Sequence, residues 1–393
     1  MLATAGDLRA LLFAVALSAV GQLQAAEADP ASPPTAEPAA ESRFTDPEDG
    51  RFDVSGFLDK AYGFVPLLVP ITEPAVGYGA VGALVFIHST PPEAGDQYVR
   101  PTMSTVGALR TENGTRGWFG ANLGTWRGGR LRTIAALADV DVNLDFFGLG
   151  GDRVPAAGLG YSVKGEGGVV GASLRLGEAQ VWLGMRYASV ATNVTLQTPL
   201  LELPGVSPAD YDLKLGALTP AVTFDGRDNF FTPTRGWYVD LSVPLFRESF
   251  GSDRDFETMN LTTMYYHPLG RSLYLAVRAS AKNSSDGTPF YLRPYVALRG
   301  VQALRYQGEQ AAELETELRW QLRPRFSVIG FAGAGEAQVS VGARDRDESV
   351  SAGGAGFRYL IARRYGLHVG VDVADGPDDT VFYVVFGSAW LRP

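Results

Sequence analysis

The chain contains no cysteine. That absence excludes a disulfide framework, a thiolate metal centre and a cysteine nucleophile. Histidine is scarce as well. His88, His267 and His368 are the only three in 393 residues, too few and too scattered for a histidine-rich metal centre. Basic residues are the minority, 34 Lys and Arg against 43 Asp and Glu, and the net charge of −9 argues against a general nucleic-acid binder. After Glu41 no apolar run approaches the ~20 residues that a membrane-spanning helix needs. No H-E-x-x-H, EF-hand or nucleophile-elbow pattern is present. The glycines at 148, 150 and 151 have neither a helical pattern behind them nor a lysine to reach a phosphate, so no metal and no cofactor is expected. His267, beside Tyr265 and Tyr266, has no serine partner at a useful spacing, so no enzyme activity is expected.

What is present is glycine (47 residues) and aromatics (11%), a composition of strands and tight turns. Residues 1–28 read as a secretory signal peptide, with a short apolar core from Leu11 to Val20 and a small-x-small site at Ala26-Glu27-Ala28. Residues 29–61 read as a periplasmic linker, Pro- and Ala-rich from Asp29 to Glu41 and unable there to bury a core.

From residue 62 to 393 the chain alternates. In Ala312–Leu322, Leu314, Leu318, Trp320 and Leu322 share one face with Thr316, while Glu313, Glu315, Glu317, Arg319 and Gln321 share the other. Period two is a strand. Sixteen such segments are expected between residues 63 and 390, among them 130–140, 164–176, 179–191, 236–246 and 380–390. Compact joins alternate with longer ones in the second half, as in outer-membrane proteins with short periplasmic turns. The expected fold class is all-β, a transmembrane antiparallel β-barrel of sixteen strands in the outer membrane of a Gram-negative bacterium, surrounded by lipid. A secreted soluble sandwich or propeller is the alternative, and one mixed-charge face backed by one apolar face argues against it. Pro66 and Pro70 weaken pairing in the first strand and suit a seam.

Four stretches resemble the BamA/TamA family of outer-membrane proteins, also called the bacterial surface antigen family. The first is Asp225-Gly226-Arg227-Asp228-Asn229 through Pro233 to Gly236, similar to a family turn of the form D-x-R-D-N-x-x-x-P-T-x-G. Asp and Asn cap a tight turn there, and Gly236 supplies a permissive backbone angle. The second, Leu298-Arg299-Gly300-Val301, resembles the tip of the family's long sixth loop. The resemblance implies that this loop folds into the barrel and that Arg299 pairs with an acid on a late strand. Asp372 matches that acid, with Glu313, Glu315 and Glu317 as competitors. Val301 stands where the family has an aromatic, which weakens the expected packing anchor. The third is Phe331-Ala332-Gly333-Ala334-Gly335, where Gly333 takes the place of a family acid and Glu336 is the candidate to compensate. The fourth is the end of the chain, where Phe386, Gly387 and Trp390 resemble the family's closing-strand signal.

The family's periplasmic POTRA modules, each of about seventy-five residues by the resemblance, have no room between residues 28 and 63. A barrel-only member is therefore expected. The resemblance implies insertion or translocation of client proteins at the outer membrane, with a separate periplasmic partner as the source of the missing modules. The competing reading is a passive porin-like channel or structural barrel, its ion preference set by lumen charges.

Overall fold

The computed structural model describes residues 44–56, 65–89, 102–148, 158–197, 206–341 and 344–390. The expected signal peptide and the Asp29–Glu41 stretch lie outside these residues.

Sixteen strands follow in chain order: β1 (Val65–Ile71), β2 (Gly79–Ser89), β3 (Thr102–Thr111), β4 (Arg116–Trp126), β5 (Leu131–Phe146), β6 (Leu159–Arg175), β7 (Val181–Leu196), β8 (Asp212–Asp225), β9 (Gly236–Ser242, resuming at Leu245–Phe246), β10 (Phe256–Pro268), β11 (Leu273–Ser284), β12 (Gln310–Arg323), β13 (Phe326–Val341), β14 (Arg344–Ala362), β15 (Leu367–Asp375) and β16 (Thr380–Phe386). β9 is interrupted at Pro244, which has no N–H to offer a ladder. Each strand pairs antiparallel with the next, from β1–β2 to β15–β16. Among the described residues no helix is long and apolar enough to cross a membrane; strands do the crossing. The joins 127–130, 176–180, 226–235, 269–272 and 363–366 share one rim, the periplasmic rim of an outer-membrane barrel.

Strand parity sets the two faces. Leu137, Val170, Leu183, Val222, Trp237, Leu318, Phe357 and Val371 point outward and are exposed, forming the lipid belt. On β5 to β8 this polarity reverses toward the loop rim. The outward series changes from Leu137 to Asp139 on β5, from Gly168 to Glu166 on β6, from Tyr187 to Ser189 on β7 and from Leu218 to Gly216 on β8. Register makes these one level, since Leu137 pairs with Gly168, Gly168 with Ser189 and Ser189 with Gly216. Above that level the inward side chains are apolar: Val140, Val142, Leu144, Tyr161, Val163, Val194, Leu213 and Leu215 are all buried.

Length explains the reversal. β6 has 17 residues, about 56 Å of strand and roughly 43 Å along the axis at a ~40° tilt. The apolar band of such barrels is only ~25 Å tall. The excess stands in water, where an outward apolar face would be costly and an inward one is favourable. Phe290, Tyr291, Leu292 and Leu304 from the β11–β12 loop fill this upper chamber. Phe290 meets Phe146 edge-on at 5.4 Å and Tyr161 at 5.4 Å.

Six boundaries differ from the expected ones by four residues or more: β6 begins at Leu159 rather than 164, β13 ends at Val341 rather than 336, β14 begins at Arg344 rather than 350, and the other three are the ends of β5, β7 and the last strand. β5 and β7 run to Phe146 and Leu196 rather than ending near 140 and 191, because the pattern that identifies a lipid-facing strand inverts at those points. The last strand stops at Phe386, not 390: Gly387 takes a φ of +72° and turns the chain.

Candidate functional site

The β11–β12 loop runs down inside the barrel, and two inward cations of β11 hold its backbone. Arg278 donates to Ala297 O at 2.5 Å and Lys282 to Tyr295 O at 3.2 Å. Small residues on β13 let it lie close. A Cβ added at Gly333 would stand 2.8 Å from Leu298 Cδ2, and one at Gly335 would collide with Val296 Cγ1. Glycine at 333, in place of the family's acid, thus makes room for the loop.

At the tip, Arg299 lies among three carboxylates. Its Nε donates to Glu315 at 2.7 Å, and its Nη1 to Glu317 at 2.9 Å and to Asp372 at 2.8 Å. Its guanidinium stacks 3.6 Å over the Phe331 ring. Asp372 is shared, because Arg358 donates to both of its oxygens. Glu313 does not reach Arg299; it sits 3.7 Å from Arg278 and 3.8 Å from Lys282. Four cations (Arg278, Lys282, Arg299, Arg358) thus face four carboxylates (Glu313, Glu315, Glu317, Asp372). Such balance is what makes buried charge tolerable.

One expectation for this site is corrected. Glu336 faces outward above the lipid belt and is exposed, since its parity follows Ala334 rather than Gly335, so it cannot compensate for the missing acid. Val301 stands where the resemblance has an aromatic. It is buried with Val296, Leu298, Ala311, Ala337 and Val350, and the neighbouring Gly300 N–H donates to Tyr383 Oη at 3.0 Å.

The end of the chain joins the same cage. Beyond Gly387 the backbone enters the lumen, and the Trp390 indole N–H donates to Glu315 Oε2 at 2.5 Å. Ser388 N–H donates to Phe231 O at 2.6 Å.

Phe231 belongs to the β8–β9 turn, which crosses the periplasmic mouth. Asp225 grips Arg227 at 2.8 and 3.1 Å, Asp228 accepts from Thr234 N–H and hydroxyl, and Asn229 Oδ1 accepts from the N–H groups of Phe231 and Thr232. Pro233 is buried, and Gly236 has a φ of +108° against Gly226 O. The turn carries Phe230 to Met103 and Leu123 on one wall, while Asn229 donates to Tyr365 O on the other at 3.0 Å.

A third feature is the seam. β1 and β16 are neighbours, yet no ladder joins them among the described residues. Phe386 shares the outward face of Phe382 and Val371 by register but is buried in the cluster of Leu67, Val69, Val81 and Ala83, which face inward. The edge strands overlap through side chains instead of pairing through backbone. Near the loop rim Tyr78 stacks on Phe382 at 5.8 Å.

Beside the β14–β15 join, residues 44–56 depart from the linker reading. They dock on the periplasmic rim, with Val54 buried against Ile361, Ala362 and Leu367. Sequence reading also missed a polar group on the outer wall. His88 Nε2 lies 2.7 Å from Ser104 Oγ, and Asn122 donates to that oxygen at 2.9 Å. Among the described residues no third group orients the His88 ring, the part that such a pair needs for nucleophilic chemistry.

Residues 168–297 match the Omp85 superfamily domain. No curated protein matches the sequence. Among solved structures, the chain is similar to BamA from Haemophilus ducreyi lacking POTRA domains 1-3, at 11% identity and a TM-score of 0.54, covering 82% of this chain and 70% of that one. CdiB from Escherichia coli is similar at 13% identity and a TM-score of 0.56, with 81% and 61% covered. CdiB from Acinetobacter baumannii is similar at 9% identity and 0.55, with 82% and 59% covered, so the chain spans less than two thirds of either CdiB. The protein is an outer-membrane β-barrel whose residues 168–297 match the Omp85 superfamily domain and whose fold is similar to that of BamA and CdiB.

Proposed function

We propose that the protein assists insertion or translocation of client proteins at the outer membrane. The observation that carries this reading is the unladdered seam. Among the described residues, the facing edges of β1 and β16 have main-chain donors and acceptors that no ladder satisfies, and an incoming strand can pair with such an edge. Pro66 and Pro70 remove two N–H donors from β1 and keep its own pairing weak. The lumen supports the same reading over a steady wide pore, since the β11–β12 loop and Trp390 cross it. The client is a protein strand, and a separate periplasmic partner delivers it.

The test is a liposome assay with purified protein and an unfolded client barrel. Faster client folding than in empty liposomes is expected. Large, steady, solute-permeable conductance with no effect on client folding would instead establish the passive channel.

A further inference from the structure

Beneath the cage of four cations and four carboxylates lies a fifth cation. Arg319 points inward from β12, one inward step closer to the periplasm than Glu317, and is buried at 7% exposure. Among the described residues its guanidinium has no ion pair, and its Nη1 is buried without a hydrogen-bond partner. The Tyr274 ring lies 4.7 Å from it. The carboxylates that act on it are Glu317 and Asp228. Both are already engaged. Glu317 accepts from Arg299 at 2.9 Å, and Asp228 accepts from the Thr234 N–H at 2.9 Å and from its hydroxyl. A guanidinium buried with its charge uncompensated is costly.

A second unpartnered group lies beside it. His368, on β15, is also 7% exposed, and its Nε2 is buried without a partner. Arg319 is the cation whose charge acts most strongly on that ring, ahead of Arg358 on the neighbouring strand. Arg358 itself is taken up by Asp372 and Phe357 O. The other ring nitrogen, Nδ1, lies 3.2 Å from Thr232 Oγ1 and 3.3 Å from Gly366 O. A carbonyl oxygen only accepts, so Nδ1 carries the ring proton and Nε2 of the neutral ring presents a lone pair. The space between β12, β15 and the β8–β9 turn therefore offers a charged donor and a neutral acceptor, both unanswered.

These two groups select their ligand. Chloride, sulfate or a carboxylate answers Arg319 but brings no proton to Nε2. Water answers both hydrogen bonds but leaves the charge. A phosphate group carrying one proton does all three: its anionic oxygens accept from the guanidinium fork, and its P–OH donates to Nε2. We propose that Arg319 and His368 form a phosphate-binding site at the periplasmic floor of the lumen, taking inorganic phosphate or the head of a phosphomonoester. The site stands apart from the client reading above, and no client enters its test.

The experiment uses the full chain in detergent micelles at about pH 6, near the second pKa of a phosphomonoester. Phosphate, sulfate or acetate is added at constant ionic strength. With [15N]histidine labelling, His88→Gln together with His267→Gln leaves His368 as the single reporter. Phosphate should shift its Nε2 resonance saturably. At ten times its half-saturating concentration it should favour the folded state in urea about 11-fold. Sulfate and acetate should bind ~10-fold more weakly or worse, because they leave Nε2 unanswered. Arg319→Gln should abolish both responses. His368→Leu should lose the preference for phosphate over sulfate, a change that lowered stability alone does not produce. Glycerol 3-phosphate separates the sources: binding like phosphate supports a phosphomonoester head, and exclusion supports the free ion. A His368 resonance unmoved by phosphate overturns the site. An equal response to sulfate, or a phosphate response that survives Arg319→Gln, also overturns it and marks a general salt effect.

Discussion

Trp390 and Glu315 meet inside the barrel, indole N–H to carboxylate, although one lies past the last strand and the other midway along β12. The other oxygen of Glu315 accepts from Arg299. The inserted loop and the end of the chain therefore share one carboxylate.

This coupling is measurable. Trp390→Phe removes the donor and keeps the ring, so it should lower barrel stability by about 1.5–3 kcal/mol, the range for a hydrogen bond to a charged group. Glu315→Gln should cost more, because it weakens the hold on Arg299 as well. The heat-modifiable gel shift reports both, and the double variant should be non-additive.

Arg299→Ala leaves Glu315, Glu317 and Asp372 facing one another with one cation fewer. A loss of about 3–5 kcal/mol is expected. Asp372→Ala should not merely mimic it, because Asp372 also holds Arg358. Glu317→Gln should be the mildest, and the ranking can be read from urea-dependent loss of the folded gel band.

Gly333→Asp restores the acid of the family pattern, and here it should be harmful. The new side chain would enter the space of Leu298 Cδ2. Overpacking of about 1–3 kcal/mol should loosen the loop, seen as faster proteolysis within residues 285–309 of the folded protein.

Acid should undock residues 44–55 from the periplasmic rim, where Arg325 holds Asp49 and Asp53. Hydrogen bonding from Arg325 holds the Asp49 carboxyl below its ordinary value, and Asp53 is also held low, where hydrogen bonds from Ser55, Arg363 and Arg325 outweigh burial. Carboxyls lowered in the folded state stabilise it above their unfolded values and lose that contribution as pH falls through the folded ones. Docking should be intact at neutral pH and weaken below about pH 4. A fluorophore at residue 50 should report the release, and Asp49→Asn should already be loosened at pH 7.

The polarity reversal fixes the membrane level. Leu183→Arg, in the lipid belt, should cost about 2–4 kcal/mol. Asn193→Arg, ten positions along the same outward face, should be near neutral, since it stands in water. Equal costs would place the boundary elsewhere.

Much of this fold was legible in the sequence because alternation is local. Glu313 to Leu322 declares both faces of β12 within ten residues. The strand ends of β5 and β7 were not legible, because Asp139 and Ser189 begin a soluble pattern of opposite hand, and a lipid-facing template ends there. Leu298-Arg299-Gly300 and Asp372 stood out as motif residues. Glu315 and Glu317 stood among the candidate partners of Arg299 and share it with Asp372, whereas the role of Arg358 needed the register, and the outward turn of Glu336 follows from a single step of parity. Nothing local could reveal that Asp46, Asp49 and Asp53 converge on an arginine more than 270 positions away.

The upper chamber also sets an order of events during assembly. Most of its lining comes from β5 to β8, but the side chains that fill it, Phe290, Tyr291 and Leu292, arrive three strands later. Until the loop is delivered, four strand ends expose an oily concavity to water on the cell surface. Completion of that chamber is therefore a late event, and the half-built barrel is the species most exposed to aggregation.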